Sequence, residues 1–119
     1  MIKLLLVDDQ ASVRAGLRML LAFQPDISVV GEAENGEAAV TLAERLHPDV
    51  ALMDVEMPRM DGIAATAAMR ESVPECAVVM LSFYDDVATR DRASAAGAVA
   101  FLGKQVSPEA LLTTIRQAV

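Results

Sequence analysis

At 119 residues and 12.6 kDa, 54% of them hydrophobic, the chain holds enough apolar surface for one domain around one core. A formal charge of -7, with only Lys3 and Lys104 as lysines, excludes a phosphate-gripping basic face on this segment. The lone Cys76 excludes an intrachain disulfide and points to a reducing compartment, the cytoplasm. The N-terminal MIKLLLVDDQ reaches two aspartates too early for a signal-peptide core, and no apolar run approaches the roughly 20 residues of a membrane span. A soluble chain with no membrane partner is expected, and no repeat, low-complexity tract or Gly/Ser linker divides it.

The predicted elements alternate in type along the chain. IKLLLV (2–7) is nearly continuous in its hydrophobicity, the mark of a strand covered on both faces, and helical spacing follows over 11–23. ISVV (27–30) reads as the second strand, with Glu32 at its end. A second helix over 35–46 has Asn35 as its cap and is stopped by His47-Pro48. VALM (50–53) is the third strand. Met57-Pro58 and Asp61-Gly62 then break periodicity before a third helix over 62–72, which Pro74 ends. AVVML (77–81), a helix over 86–96 with Gly97 as C-cap, and AVAFL (98–102) come next. Ser107-Pro108-Glu109 starts the last helix with an N-cap, a proline in the first turn and an acidic residue behind it. Five strands alternating with five helices demand right-handed crossovers and a mainly parallel sheet between helices, an α/β domain over 1–119.

In such a sheet the ligand site lies beyond the carboxyl ends of the strands. There the first strand ends in Asp8-Asp9, the third in Asp54 and the fourth in Ser82, while the fifth runs through Phe101 into Lys104. A single strand-end aspartate is more often a helix cap than a ligand; the set is harder to dismiss. Like carboxylates about 4 Å apart repel by about 4 kcal/mol at an effective dielectric of 20. One lysine does not offset three acids, whereas a divalent cation with hard oxygen ligands does: Mg²⁺ first, Mn²⁺ second. No His or Cys accompanies these residues, which argues against zinc.

The motifs LLLVDD (4–9), LMDVEMPRMDG (52–62), MLS (80–82) and AAGAVAFLGK (95–104), in this order and spacing, resemble the receiver domain of two-component response regulators, from Ile2 to the last helix. The resemblance implies a flavodoxin-like (βα)5 three-layer sandwich with strand order 2-1-3-4-5. It implies that Asp54 accepts a phosphoryl group from a sensor histidine kinase. Asp9 would then bind Mg²⁺ directly, Asp8 mainly through water, and Glu56 through its backbone carbonyl. Lys104 and the Ser82 hydroxyl would hold phosphoryl oxygens, and Phe101, in the position of the switch aromatic, would respond to Ser82. Phe101 as a plain core residue is compatible with the same pattern. The chemistry is done on the chain itself, so "enzyme" describes it poorly.

Three positions depart from that family's habits. Gln105 follows Lys104 where many receivers carry a cis proline; a non-proline cis bond costs about 2.5–4 kcal/mol, so the bond is trans or strained. Phe83 and Tyr84 follow Ser82 where a small and then a polar residue are common, so Phe83 is expected to narrow access to Asp54. Ser82 itself replaces the frequent threonine and keeps the hydroxyl. Met57, Met60, His47 and Cys76 are expected to be structural.

The text around MLSFYDD and AAGAVAFLGK is most like receivers of the NarL/FixJ type, which precede a LuxR-type helix-turn-helix domain. No such domain lies within the 119 residues, so any DNA contact is expected to lie outside this chain, with a fragment of a transcriptional regulator favoured over a stand-alone phosphorelay shuttle. A homodimer through the first helix (Val13, Leu17, Leu20) and the last (Leu111, Leu112, Ile115) competes with plain core packing of the same residues. A small Mg²⁺-dependent phosphohydrolase also uses an aspartyl nucleophile, but it usually has a second aspartate where Glu56 stands, and a cap domain. A flavodoxin-like cofactor binder needs a phosphate-cradling loop after the first strand, where Asp8-Asp9 would repel a phosphate.

Overall fold

The computed structural model describes residues 1–119. Five strands, β1 (Ile2–Val7), β2 (Ile27–Ala33), β3 (Val50–Met53), β4 (Ala77–Ser82) and β5 (Ala100–Gly103), alternate with α1 (Ala11–Ala22), α2 (Gly36–Leu46), α3 (Gly62–Ser72), α4 (Val87–Ala96) and α5 (Pro108–Gln117). The strands form one parallel sheet in the expected order β2-β1-β3-β4-β5. β1 and β3 are therefore central, and their apolar runs are buried because helices cover both faces.

Alternate residues of each strand feed different cores. Leu5, Val7, Ala51, Met53, Val78 and Met80 pack with residues of α2, α3 and α4 on one face, while Leu4, Leu6, Val50, Leu52 and Val79 meet α1 and α5 on the other. Leu111, Leu112 and Ile115 all belong to that second core, so the α5 half of the anticipated dimer strip faces inward. Leu17 and Leu20 pack against the same core, and the exposed apolar residues around α1 are Met19 and Phe23.

The predicted stops and starts are present. Asn35, Asp61, Asp86 and Ser107 each accept a backbone N–H in the first turn of a helix, and Gly97 ends α4 in the left-handed region. Two strand boundaries move by two residues or more. β2 continues past Val30 to Ala33, because a register shift opposite Leu4/Leu5 absorbs one residue and lets pairing resume. β5 begins at Ala100 rather than Ala98, because the Ala98 N–H donates to Ala93 O and closes α4. His47 is the left-handed C-cap of α2, its ring 2.7 Å from Glu75, and Cys76 is buried, with its thiol pushed up to about 12 by desolvation.

The loop after β3 is held from several sides. Arg59 and Met60 have positive φ, and their carbonyls accept the Glu37 and Gly36 N–H groups at 3.2 and 2.9 Å. Gly62 donates to Val55 O at 2.7 Å, and a Cβ there would stand 1.8 Å from the Asp54 carbonyl oxygen. That close approach requires glycine.

Candidate functional site

Asp54 leaves the end of β3 with its N–H on Val7 O of the neighbouring β1, which sets it beside Asp8 and Asp9. Carboxylate oxygens of these three residues lie within 4.8 Å of one another; Asp8 and Asp54 are buried and Asp9 is exposed. Asp8 Oδ1 accepts the Gln10 N–H at 2.9 Å, and Asp54 Oδ1 accepts that of Val55 at the same distance.

Lys104 arrives from the end of β5 through a trans peptide to Gln105, all peptide bonds being trans. Its ammonium donates to Asp8 Oδ2 at 2.6 Å and stands 3.5 Å from Asp54 Oδ2. Although it follows a strand at the rim, its side chain is only 7% exposed. Ser82 ends β4 fully buried, with its carbonyl on the Lys104 N–H and its hydroxyl accepting the Tyr84 N–H at 3.1 Å. The strand ends thus bring together Asp8, Asp9, Asp54 and Lys104, and Ser82 joins them through its backbone carbonyl on Lys104.

Glu56 is exposed and lines an open depression with Asp9, Met57, Pro58 and Asp61. Phe101 lies back from the rim near the start of β5, half-buried against the α3/α4 core, with the Arg90 guanidinium 4.9 Å from its ring centre and bonded to its carbonyl.

Two residues escape sequence reasoning. Arg14 of α1 reaches under the first loop, donating to the Asp8 carbonyl at 2.6 Å and to Glu32 Oε1 at 3.0 Å. Glu32, an unremarkable edge-strand residue in sequence, also accepts Arg18 at 2.7 Å. The sequence signal was faint: an arginine one helical turn after Asp9-Gln10, with no pattern tying it to β2.

The electrostatics bear on what the site can hold. Burial first, and then the Asp8 charge, push the Asp54 carboxyl from its ordinary 3.8 up to about 6, with Lys104 pulling against them. Three clustered carboxylates with one ammonium among them form a hard-oxygen donor set still short of positive charge, and a divalent cation fits it.

A profile described as "Response regulator receiver domain" matches residues 4–116. The chain belongs to that family. Among relatives of this receiver domain, the nitrate/nitrite response regulator protein NarL of Escherichia coli (strain K12) is 41% identical over 97% of this chain and 53% of its own length. Protein-glutamate methylesterase/protein-glutamine glutaminase 4 of Geobacter metallireducens is 46% identical over 91% of this chain and 32% of its own. The receiver therefore spans about half of one relative and a third of the other. Among solved structures, the response regulator domain of Thermotoga maritima CheB superposes with a TM-score of 0.92 at 37% identity, covering 99% of this chain and 96% of that one. No helix of the receiver is long and apolar enough to cross a membrane.

Proposed function

We propose that this receiver accepts a phosphoryl group on Asp54 from a sensor histidine kinase and thereby switches an output. The observation that carries the reading is the Asp54 carboxylate at a central strand end, flanked by Asp8, Asp9 and Lys104. At neutral pH a carboxyl titrating at about 6 is mostly ionised, the form that attacks phosphorus. An Asp54 oxygen forms the new P–O bond as the donor's P–N bond breaks, leaving its electron pair on the imidazole nitrogen. The product is an acyl phosphate.

Asp8, Asp9 and Asp54, with the Glu56 backbone carbonyl, would hold Mg²⁺, which when bound supplies charge neutralisation for the incoming phosphoryl group. Asp8 orients the Lys104 ammonium, and Lys104 and the Ser82 hydroxyl offer donors for phosphoryl oxygens. Phosphorylation adds about 1.5 to 2 negative charges at pH 7. Ser82 then draws toward them and Phe101, on β5 opposite Met80, repacks. Cytoplasmic location and control of transcription through an attached domain complete the reading, in keeping with the transcriptional regulatory protein DegU of Brevibacillus brevis, 35% identical over 97% of this chain.

Incubation with Mg²⁺ and acetyl phosphate tests it. Intact mass should gain one phosphoryl group, a gain prevented when the metal is chelated beforehand and absent from Asp54→Asn. A chain that stays unmodified, or an Asp54→Asn variant labelled like wild type, overturns it.

A further inference from the structure

We propose that Phe83 is a specificity-determining residue of this site: its ring, held against the Lys104 ammonium, covers the approach to Asp54 and slows small phosphoryl donors and water alike. The inference rests on Asp54 as the phosphoryl acceptor and adds what governs its traffic.

Phe83 belongs to neither core cluster and is 62% exposed, so apolar burial does not place its ring. What the ring meets is a cation: Lys104 Nζ lies 4.8 Å from its centre. The same ammonium contacts Asp8 and Asp54, which leaves it nearly inaccessible on a strand end where a lysine is ordinarily solvated. A desolvated ammonium binds an aromatic face more strongly than a hydrated one, so the burial of Lys104 and the position of Phe83 support each other.

The backbone aims the ring. The Ser82 carbonyl is fixed by the Lys104 N–H at 3.0 Å and the Tyr84 N–H by the Ser82 hydroxyl at 3.1 Å, one residue to either side of Phe83. Asp86 already caps α4 through Thr89, which confines the free loop to Phe83, Tyr84 and Asp85. The ring is thus tethered over the lysine that a phosphoryl oxygen must meet.

Two reactions pass this point. In uptake from acetyl phosphate, an Asp54 oxygen bonds to phosphorus and acetate departs with the electron pair of the broken P–O bond. In loss, a water oxygen bonds to phosphorus, the Asp54–phosphorus link breaks with its pair returning to the carboxylate, and inorganic phosphate leaves with the proton shared between it and solvent. Both reactants must enter from solvent, past the ring.

The test compares wild type with Phe83→Ala, Phe83→Leu and Phe83→Tyr, measuring uptake from acetyl phosphate and first-order loss of the label in Mg²⁺. Phe83→Ala should speed both by about fivefold, the size of a modest cation–π contact. Phe83→Tyr should match wild type, and Phe83→Leu, bulky without an aromatic face, should lie between. Unchanged rates in Phe83→Ala overturn the proposal. A second readout needs no phosphoryl chemistry: NMR of the unmodified chain should show the Lys104 ε-methylene protons shifted upfield by the ring current in wild type and Phe83→Tyr, but not in Phe83→Leu. Identical Lys104 shifts in wild type and Phe83→Leu overturn the contact even if labelling succeeds. Absence of label from wild type and Phe83→Ala alike removes the acceptor reading and the cover with it.

Discussion

Lys104 donates to Asp8 at 2.6 Å and stands off from Asp54 at 3.5 Å, so the ammonium leans on the first strand's carboxylate rather than on the acceptor it is expected to serve. Asp8 is also a candidate metal ligand, and a cation must share it with the lysine. Lys104→Met should therefore bind Mg²⁺ more tightly, by about tenfold, because one competing positive charge is gone. The same variant should take label from acetyl phosphate more slowly than wild type. Calorimetric titration and labelling check the two halves separately, and weaker Mg²⁺ binding would contradict the competition.

Asp54 makes a pH prediction with a defined sign. Its carboxyl titrates at about 6 in the fold against an ordinary 3.8, so between those values the native state binds more protons than the unfolded chain. Its contribution to stability is present below about pH 4 and fades as pH rises through about 6, amounting to about 3 kcal/mol overall. Without metal, Asp54→Asn should be more stable than wild type at pH 7, and the gap should close as pH falls toward 4. Denaturant melts at several pH values in a chelator measure this, and a gap independent of pH would refute it.

Arg14 holds the Asp8 carbonyl from beneath and is itself held by Glu32. Arg14→Ala should weaken Mg²⁺ binding by about tenfold, the usual size of effect when a group supporting a metal ligand is removed, with far-UV circular dichroism unchanged. Arg14→Lys should not restore it, because a single ammonium does not span two acceptors as the guanidinium fork does.

The two glycines Gly62 and Gly16 should respond oppositely to alanine. A Cβ on Gly62 would collide with the Asp54 carbonyl oxygen, whereas one on Gly16, in exposed α1, meets nothing within 4 Å. Gly62→Ala should cost about 3 kcal/mol or more, since backbone rather than a flexible side chain must shift. Gly16→Ala should stabilise by about 0.5–1 kcal/mol through helix propensity.

Much of this arrangement is written into local sequence. An apolar run cut off by Asp54, with Met57-Pro58 and Asp61-Gly62 behind it, declares a buried strand opening into a loop, and Asp8-Asp9 and Lys104 do the same at their own strands. The sheet order brings them together, and that order came from resemblance rather than from periodicity. What stayed illegible depends on contacts between distant elements. Arg14 looks like one more polar helix position until β2 passes beside it with Glu32. The inward turn of Leu111, Leu112 and Ile115 depends on α5 lying flat against α1's side of the sheet. The preference of Lys104 for Asp8 is a matter of under 1 Å, set by the geometry of two loops.

At the opposite pole of the sheet, Arg116 in the last turn of α5 grips Asp26 through two bonds of 2.8 and 3.0 Å and adds Gln24 at 2.9 Å. This clasp lies just before β2 begins, roughly 20 Å, one strand length, from the acidic rim. A fluorescent reporter fused behind Val119 would consequently emerge on the far side, leaving the mouth of the reactive crevice unobstructed. Whatever such a fusion registered of events at Asp54 would have travelled the length of the sandwich to reach it.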